Sequence, residues 1–120
     1  MKNFIISLQH AFNGIRYAVA SERNLKIQLA VLALAMAAAF ALNIPGFEIL
    51  VILGISALVL SLELVNTAIE RLADRVTPEH DAQIRVVKDV AAGAVLLASI
   101  FAIIIGLGIF AEPFMQLLAK

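Results

Sequence analysis

Three stretches of this chain carry no charged side chain at all: residues 27–42, 49–62 and 90–111. A helix needs about 20 mainly apolar residues to cross a bilayer. Inside the bilayer each backbone amide must find its partner within the protein, so apolar runs of this length cross as helices. Composition supports the same class. The chain is 62% hydrophobic and 15% charged, where a soluble domain has about 45–50% and about 25%. So short a chain has too little interior to hide that much apolar surface. The expected class is an all-α membrane protein.

The 9 basic residues balance the 9 acidic ones, so no nucleic-acid footprint is present. Cysteine is absent, which excludes a disulfide framework, thiolate zinc sites and a thiol nucleophile. The first residues lack a long apolar run followed by a small-residue cleavage site, so no cleaved signal is expected. There is no internal repeat, and residues 1–120 are expected to form a single domain.

The turn signals divide the chain into four helices. Over residues 3–21, Phe4, Ile5, Leu8, Phe12, Ile15 and Val19 recur at the helical period, with Ser7, His10, Asn13 and Arg16 on other faces. That stripe is too interrupted to span. It predicts an amphipathic N-terminal surface helix, lying in the interface or packed on the other helices. A first span over about 25–42 ends at Asn43-Ile44-Pro45-Gly46, a strong turn signal. A second, about 47–70, must continue past Leu62 to be long enough, carrying Glu63 and Asn66 into or near the membrane, and its helical pattern extends to Arg75. The third, about 90–111, ends before Glu112-Pro113, and a short interfacial turn of helix is expected beyond it. Gly54, Gly93, Gly106 and Gly108 are expected at close helix–helix contacts.

Basic residues sit on one side of this arrangement. Lys2, Arg16, Arg23 and Lys26 precede the first span, and Arg71, Arg75, Arg85 and Lys88 lie between the second and third. The turn between the first two spans has no Lys or Arg, and the tail has only Lys120. The positive-inside rule therefore places the N-terminus and the 71–88 linker in the cytoplasm and the C-terminus outside.

The chemistry lies at the end of the second span. With 100° per residue, Asn66, Glu70 and Asp74 project at about −60°, −20° and +20° from Glu63, so three carboxylates and an amide share one narrow face. Like charges so placed repel one another, and a polar stripe at a membrane boundary costs free energy. Glu63 also lies about 10 Å deeper than Glu70 along the helix. Glu22 and Lys26 stand at the same end of the first span, and Lys88 and Asp89 at that of the third.

The run Glu63-Leu-Val-Asn66-Thr-Ala-Ile-Glu70-x-x-x-Asp74 resembles the signature of the prokaryotic diacylglycerol kinase family, which includes undecaprenol kinases. The resemblance continues through Glu79 and Lys88-Asp89-Val90-Ala91-Ala92-Gly93, and upstream through Gly14, Arg16, Glu22 and Asn24. It implies a homotrimer of three-span subunits with active sites shared between neighbours. It implies a lipid kinase that moves the γ-phosphoryl of ATP, with Mg²⁺, to a lipid hydroxyl in the bacterial inner membrane. Under that resemblance Glu63 is the general base and Asn66 orients the reacting groups. Glu22 and Glu70 are the Mg²⁺-associated carboxylates, and Lys88, Asp89 and Glu79 belong to the nucleotide site. Asn3 and His10 stand where family members tend to carry arginine and tyrosine, which leaves Lys2 or Arg16 to supply the cation. The Lys88–Gly93 segment is closer to the undecaprenol-kinase variant.

The residue types suit these roles. Phosphoryl transfer needs a metal and a cation on the phosphates and an acceptor for the hydroxyl proton, and hard carboxylate oxygens suit Mg²⁺. No Gly-x4-Gly-Lys-(Ser/Thr) loop and no protein-kinase glycine loop is present, so side chains and metal would have to hold the phosphates. Two other readings remain open: a carboxylate-lined proton or cation transporter, and a non-catalytic membrane scaffold. A relay would need polar stepping stones through the outer leaflet, and the runs 31–42 and 96–111 offer only Ser99.

Overall fold

The computed structural model describes residues 1–77 and 79–120, and these form four helices: α1 (Lys2–Ser21), α2 (Arg23–Ala41), α3 (Gly46–Val76) and α4 (Ala82–Leu118). No strand occurs among the described residues. The radius of gyration is 18.0 Å, against about 14 Å for a compact globule of this length. The chain is an open set of long rods, with few of its apolar side chains covered.

Three of the rods are long and apolar enough to cross a membrane: α2, α3 and α4. At 1.5 Å per residue they measure about 28, 46 and 55 Å, so α3 and α4 outrun a hydrocarbon core of about 30 Å. Their extra turns carry the charged residues. α3 and α4 make the main packing contact, α2 leans on α3, and α1 touches α2 and α3.

Helix α1 ends where Glu22 adopts an extended backbone, φ −103° and ψ 118°, and α2 starts at the next residue. Its apolar residues Phe4, Ile5, Leu8, Phe12 and Ile15 are exposed in the single chain, and Ala18 is its one buried residue. At the other end of α2 the chain turns through Asn43, which has φ 55°. The Asn43 and Ile44 amides donate to the Phe40 and Ala39 carbonyls at 3.2 and 2.9 Å. This pattern closes a helix with a left-handed residue followed by an apolar one. The apolar residue is Ile44, buried together with Ala39 and Ile52 in the small core between α2 and α3. Pro45 then caps α3. Asp81 caps α4, its Oδ1 accepting from the Gln83 and Ile84 amides at 2.9 and 3.0 Å.

Two expectations are corrected. The short helical segment expected beyond residue 111 is not separate from the helix of the third span: α4 runs unbroken through Pro113 to Leu118. Proline removes a single amide donor, and the remaining hydrogen bonds carry the helix past it. The glycines are not at close contacts within the subunit. A Cβ at Gly54, Gly93, Gly106 or Gly108 would meet nothing within 4 Å, because the helices approach through other faces.

Asn43 holds a left-handed conformation that costs most side chains about 1–2 kcal/mol. Asn43→Val should therefore lower stability by about that amount in reversible unfolding from detergent micelles, while Asn43→Gly should match or exceed wild type. Equal stability of the two variants would show that the turn does not depend on this residue.

Candidate active site

Helix α3 buries polar side chains where a membrane helix can least tolerate them. Glu63 is 3% exposed, Asn66 7% and Thr67 5%, and these are the buried polar residues among those described. Glu63 lies 17 residues beyond Gly46, about 26 Å along the axis, which keeps it within the reach of a bilayer core. Glu70 lies two turns further and is half-buried.

Two hydrogen bonds tie this face to the next helix and to the next turn. Gln28 on α2 donates from Nε2 to Glu63 Oε2 at 3.5 Å. Asn66 donates from Nδ2 to Glu70 Oε1 at 3.2 Å, an i,i+4 pair along the helix. Asn66 Oδ1, Thr67 Oγ1 and Gln28 Oε1 are buried with no hydrogen-bond partner. Unsatisfied buried polar atoms are uncommon and call for a reason.

Beyond Glu70 the face is tied to its neighbours by ion pairs. Arg71 reaches Glu22 Oε1 at 3.0 Å, and its guanidinium lies 5.4 Å from the Tyr17 ring centroid, which fastens the α1–α2 junction to α3. Lys88 on α4 pairs with Asp74 on α3. Arg85 pairs with Asp89 at 3.3 Å, one turn apart on α4.

The residues singled out in the sequence are thus brought together in part. Glu63, Asn66 and Glu70 line one face, and Glu22 and Lys88 both fold onto α3 just beyond it. Asp89 is turned to Arg85. Arg16 is exposed and joins no ion pair among the described residues. Glu79 is exposed in the linker, its amide donating to Thr77 Oγ1 at 3.2 Å. Three members of the cluster escaped the sequence analysis: Gln28, Arg71 and Tyr17. Gln28 had a readable signal, being the one polar side chain between Lys26 and Asn43. The other two became visible only when α1 and α3 were placed together.

Among the described residues no three His, Asp or Glu side chains gather to hold a metal by themselves. Mg²⁺ characteristically takes one or two protein carboxylates and completes its shell with phosphates and water. Glu70, with Oε1 on an amide, and Glu22, with Oε1 on Arg71, present oxygen donors of that kind. The donor set fits such an ion arriving with a nucleotide.

Comparison with known sequences gives a consistent result. Residues 9–110 match the family described as prokaryotic diacylglycerol kinase. The chain is 36% identical over 117 residues to a diacylglycerol kinase of Synechocystis, an alignment covering 97% of this chain and 67% of that protein. It is 34% identical over 110 residues to an undecaprenol kinase of Bacillus subtilis, covering 92% of this chain and 89% of the relative.

The Arg71–Glu22 pair is half-exposed on the arginine side, so screening keeps its worth below about 1 kcal/mol. Arg71→Gln should leave the unfolding midpoint nearly unchanged but speed amide hydrogen exchange over Tyr17–Ser21 relative to α3. Unchanged exchange there would show that α1 is held by other contacts.

Proposed function

The chain belongs to the prokaryotic diacylglycerol kinase family, and from that premise we propose that it transfers the γ-phosphoryl group of MgATP to the hydroxyl of undecaprenol or diacylglycerol at the cytoplasmic face of the bacterial inner membrane. A lipid kinase must join two reactants that do not share a solvent. The lipid keeps its chain in hydrocarbon, and the nucleotide arrives from water.

The observation that carries this reading is the buried Glu63 at one end of a stripe whose other end, Glu70, is half-buried two turns away. Glu63 takes the proton of the attacking hydroxyl. The hydroxyl oxygen forms its bond to the γ-phosphorus, the bond from that phosphorus to the β,γ-bridging oxygen breaks, and ADP leaves with the electron pair. Asn66 holds Glu70 through Nδ2 and keeps Oδ1 for a donor in the assembled complex. Glu22 and Glu70 are the residues that would hold Mg²⁺, which would supply charge neutralisation for the phosphates. Lys88, which pairs with Asp74, is the nearby cation for the phosphates, and Arg16, Glu79 and Asp89 join it in binding the nucleotide.

The buried polar side chains span little more than one turn, Glu63 to Thr67, and do not continue along α3. A transport path would need them spread through the bilayer, so their clustering favours the kinase. The apolar flanks exposed in the single chain and the unpaired polar atoms of the stripe support a homotrimer in which neighbours complete each site.

The test is transfer of labelled phosphate from ATP in mixed micelles, with Mg²⁺ and either lipid. Glu63→Gln should lower kcat by at least the roughly 100-fold characteristic of general acid–base catalysis, with little change in apparent MgATP affinity. Glu70→Gln should alter the Mg²⁺ and nucleotide dependence. Near-normal kcat in Glu63→Gln, or a defect mainly in nucleotide binding, would remove the base assignment. Native mass spectra showing only an active monomer would refute the shared sites.

A further inference from the structure

Arg71 stands where its contribution to stability is a weak reason for it to be. Its pair with Glu22 is half-exposed on the arginine side and adds less than about 1 kcal/mol. Yet of the ion pairs among the described residues, this is the one whose acid is a proposed metal carboxylate. Arg71 also directly follows Glu70, the other such carboxylate, along α3.

Most of its hydrogen-bonding capacity is unspent. A guanidinium carries about five N–H donors in a planar fork. Arg71 spends Nη2 on Glu22 Oε1 at 3.0 Å, and its other nitrogens have no partner among the described residues. The Tyr17 ring, with its centroid 5.4 Å away, steadies the head without using a donor. Glu22 Oε2 likewise has no partner among the described residues. Glu22 can therefore keep Arg71 on one oxygen and leave the other for an ion.

Position along α3 decides which part of a nucleotide this fork meets, and here the inference rests on the reading of Glu63 as the base of a lipid kinase. In phosphoryl transfer the attacking and leaving oxygens lie roughly in line across the γ-phosphorus. With the hydroxyl at Glu63, ADP lies on the opposite side, toward the charged end of α3. Arg71 is about 12 Å beyond Glu63 along the axis, beside the part that leaves. MgATP is still an anion after its metal is counted, and at this end it meets Glu22 and Glu70. Lys88 is drawn to Asp74, so a further cation is required beside these acids. We propose that Arg71 is a nucleotide-binding residue whose fork takes the phosphates that stay with ADP, held in place by Glu22 and Tyr17. Arginine suits this task, because its fork meets phosphate oxygens two at a time.

Three variants, assayed in mixed micelles with diacylglycerol as acceptor, test it. Arg71→Gln removes the charge and the fork. It should raise the KM for MgATP at least about tenfold, the scale of one hydrogen bond between charged groups, with kcat within about threefold. The Kd of labelled MgADP, measured by equilibrium dialysis without turnover, should rise by a similar factor. Arg71→Lys keeps the charge without the fork and should raise the KM by a smaller factor, at least about threefold. It carries the test if Arg71→Gln does not fold. Ala18→Gly loosens the buried contact of α1 without removing a cation, and its KM should stay within about twofold. An unchanged or lowered KM for MgATP in the Arg71 variants would overturn the inference, a lowered one marking Arg71 as a competitor of the metal for Glu22. A rise in Ala18→Gly equal to that in Arg71→Gln would also overturn it, assigning the effect to the seating of α1. In either case wild-type transfer would still uphold the kinase. Failure of the wild-type chain to phosphorylate diacylglycerol or a polyprenol would instead reject the kinase reading itself.

Discussion

A carboxylate held about 26 Å along a bilayer-crossing helix is the constraint around which this chain is arranged. Burying a polar side chain in hydrocarbon costs free energy, and Glu63 is covered on nearly all sides. Its direct compensation within the described residues is a single amide hydrogen bond from Gln28, at the long end of the range. One turn on, Asn66 leaves its oxygen unpaired, and Thr67 its hydroxyl. Apolar residues at these positions would relieve the whole cost. Polar groups left partly unsatisfied in this way suit a role in chemistry, with their remaining partners arriving as reactants.

Helix α3 is the element through which everything else is organised. Its length lets one face pass from a buried carboxylate to the exposed pairs at Arg71 and Asp74. Those pairs recruit Glu22 from the α1–α2 junction and Lys88 from α4, so three other segments take their positions from α3. The Asn43 turn returns the chain from α2 into α3 and seats Ile44 in the small core there. Hydrophobic burial contributes little to association between helices inside a membrane, where lipid is as apolar as leucine. The sparse core is consistent with that. Close van der Waals contact along α3 and α4 is what remains to hold the subunit together, and the exposed ion pairs at the helix ends add little to it.

Much of this was legible from residue spacing because both membrane insertion and helical periodicity are local properties. The charge-free runs marked α2, α3 and α4, and the 100° step placed Glu63, Asn66 and Glu70 on one face. What spacing does not contain is the register of one helix against another. Gln28 was visible as a lone amide in an apolar run, but nothing in the sequence said that Glu63 would stand opposite it. Arg71 read as a basic residue of the linker, and it became the tie to Glu22 only once α1 folded back. Pro113 signalled a stop that the intact bonds on either side overrode. The glycines suggested close packing, yet within one subunit they face open space.

The central claim is that the polar stripe is kept at the expense of stability because it carries out the transfer. Glu63→Met measures both halves on one sample, through its unfolding midpoint and its turnover. Expected are an unchanged or raised midpoint, since an apolar side chain of similar volume replaces a buried polar group short of partners, and turnover reduced to background. A lowered midpoint with turnover retained would contradict it, showing that Glu63 is there to hold the helices together and not to accept a proton.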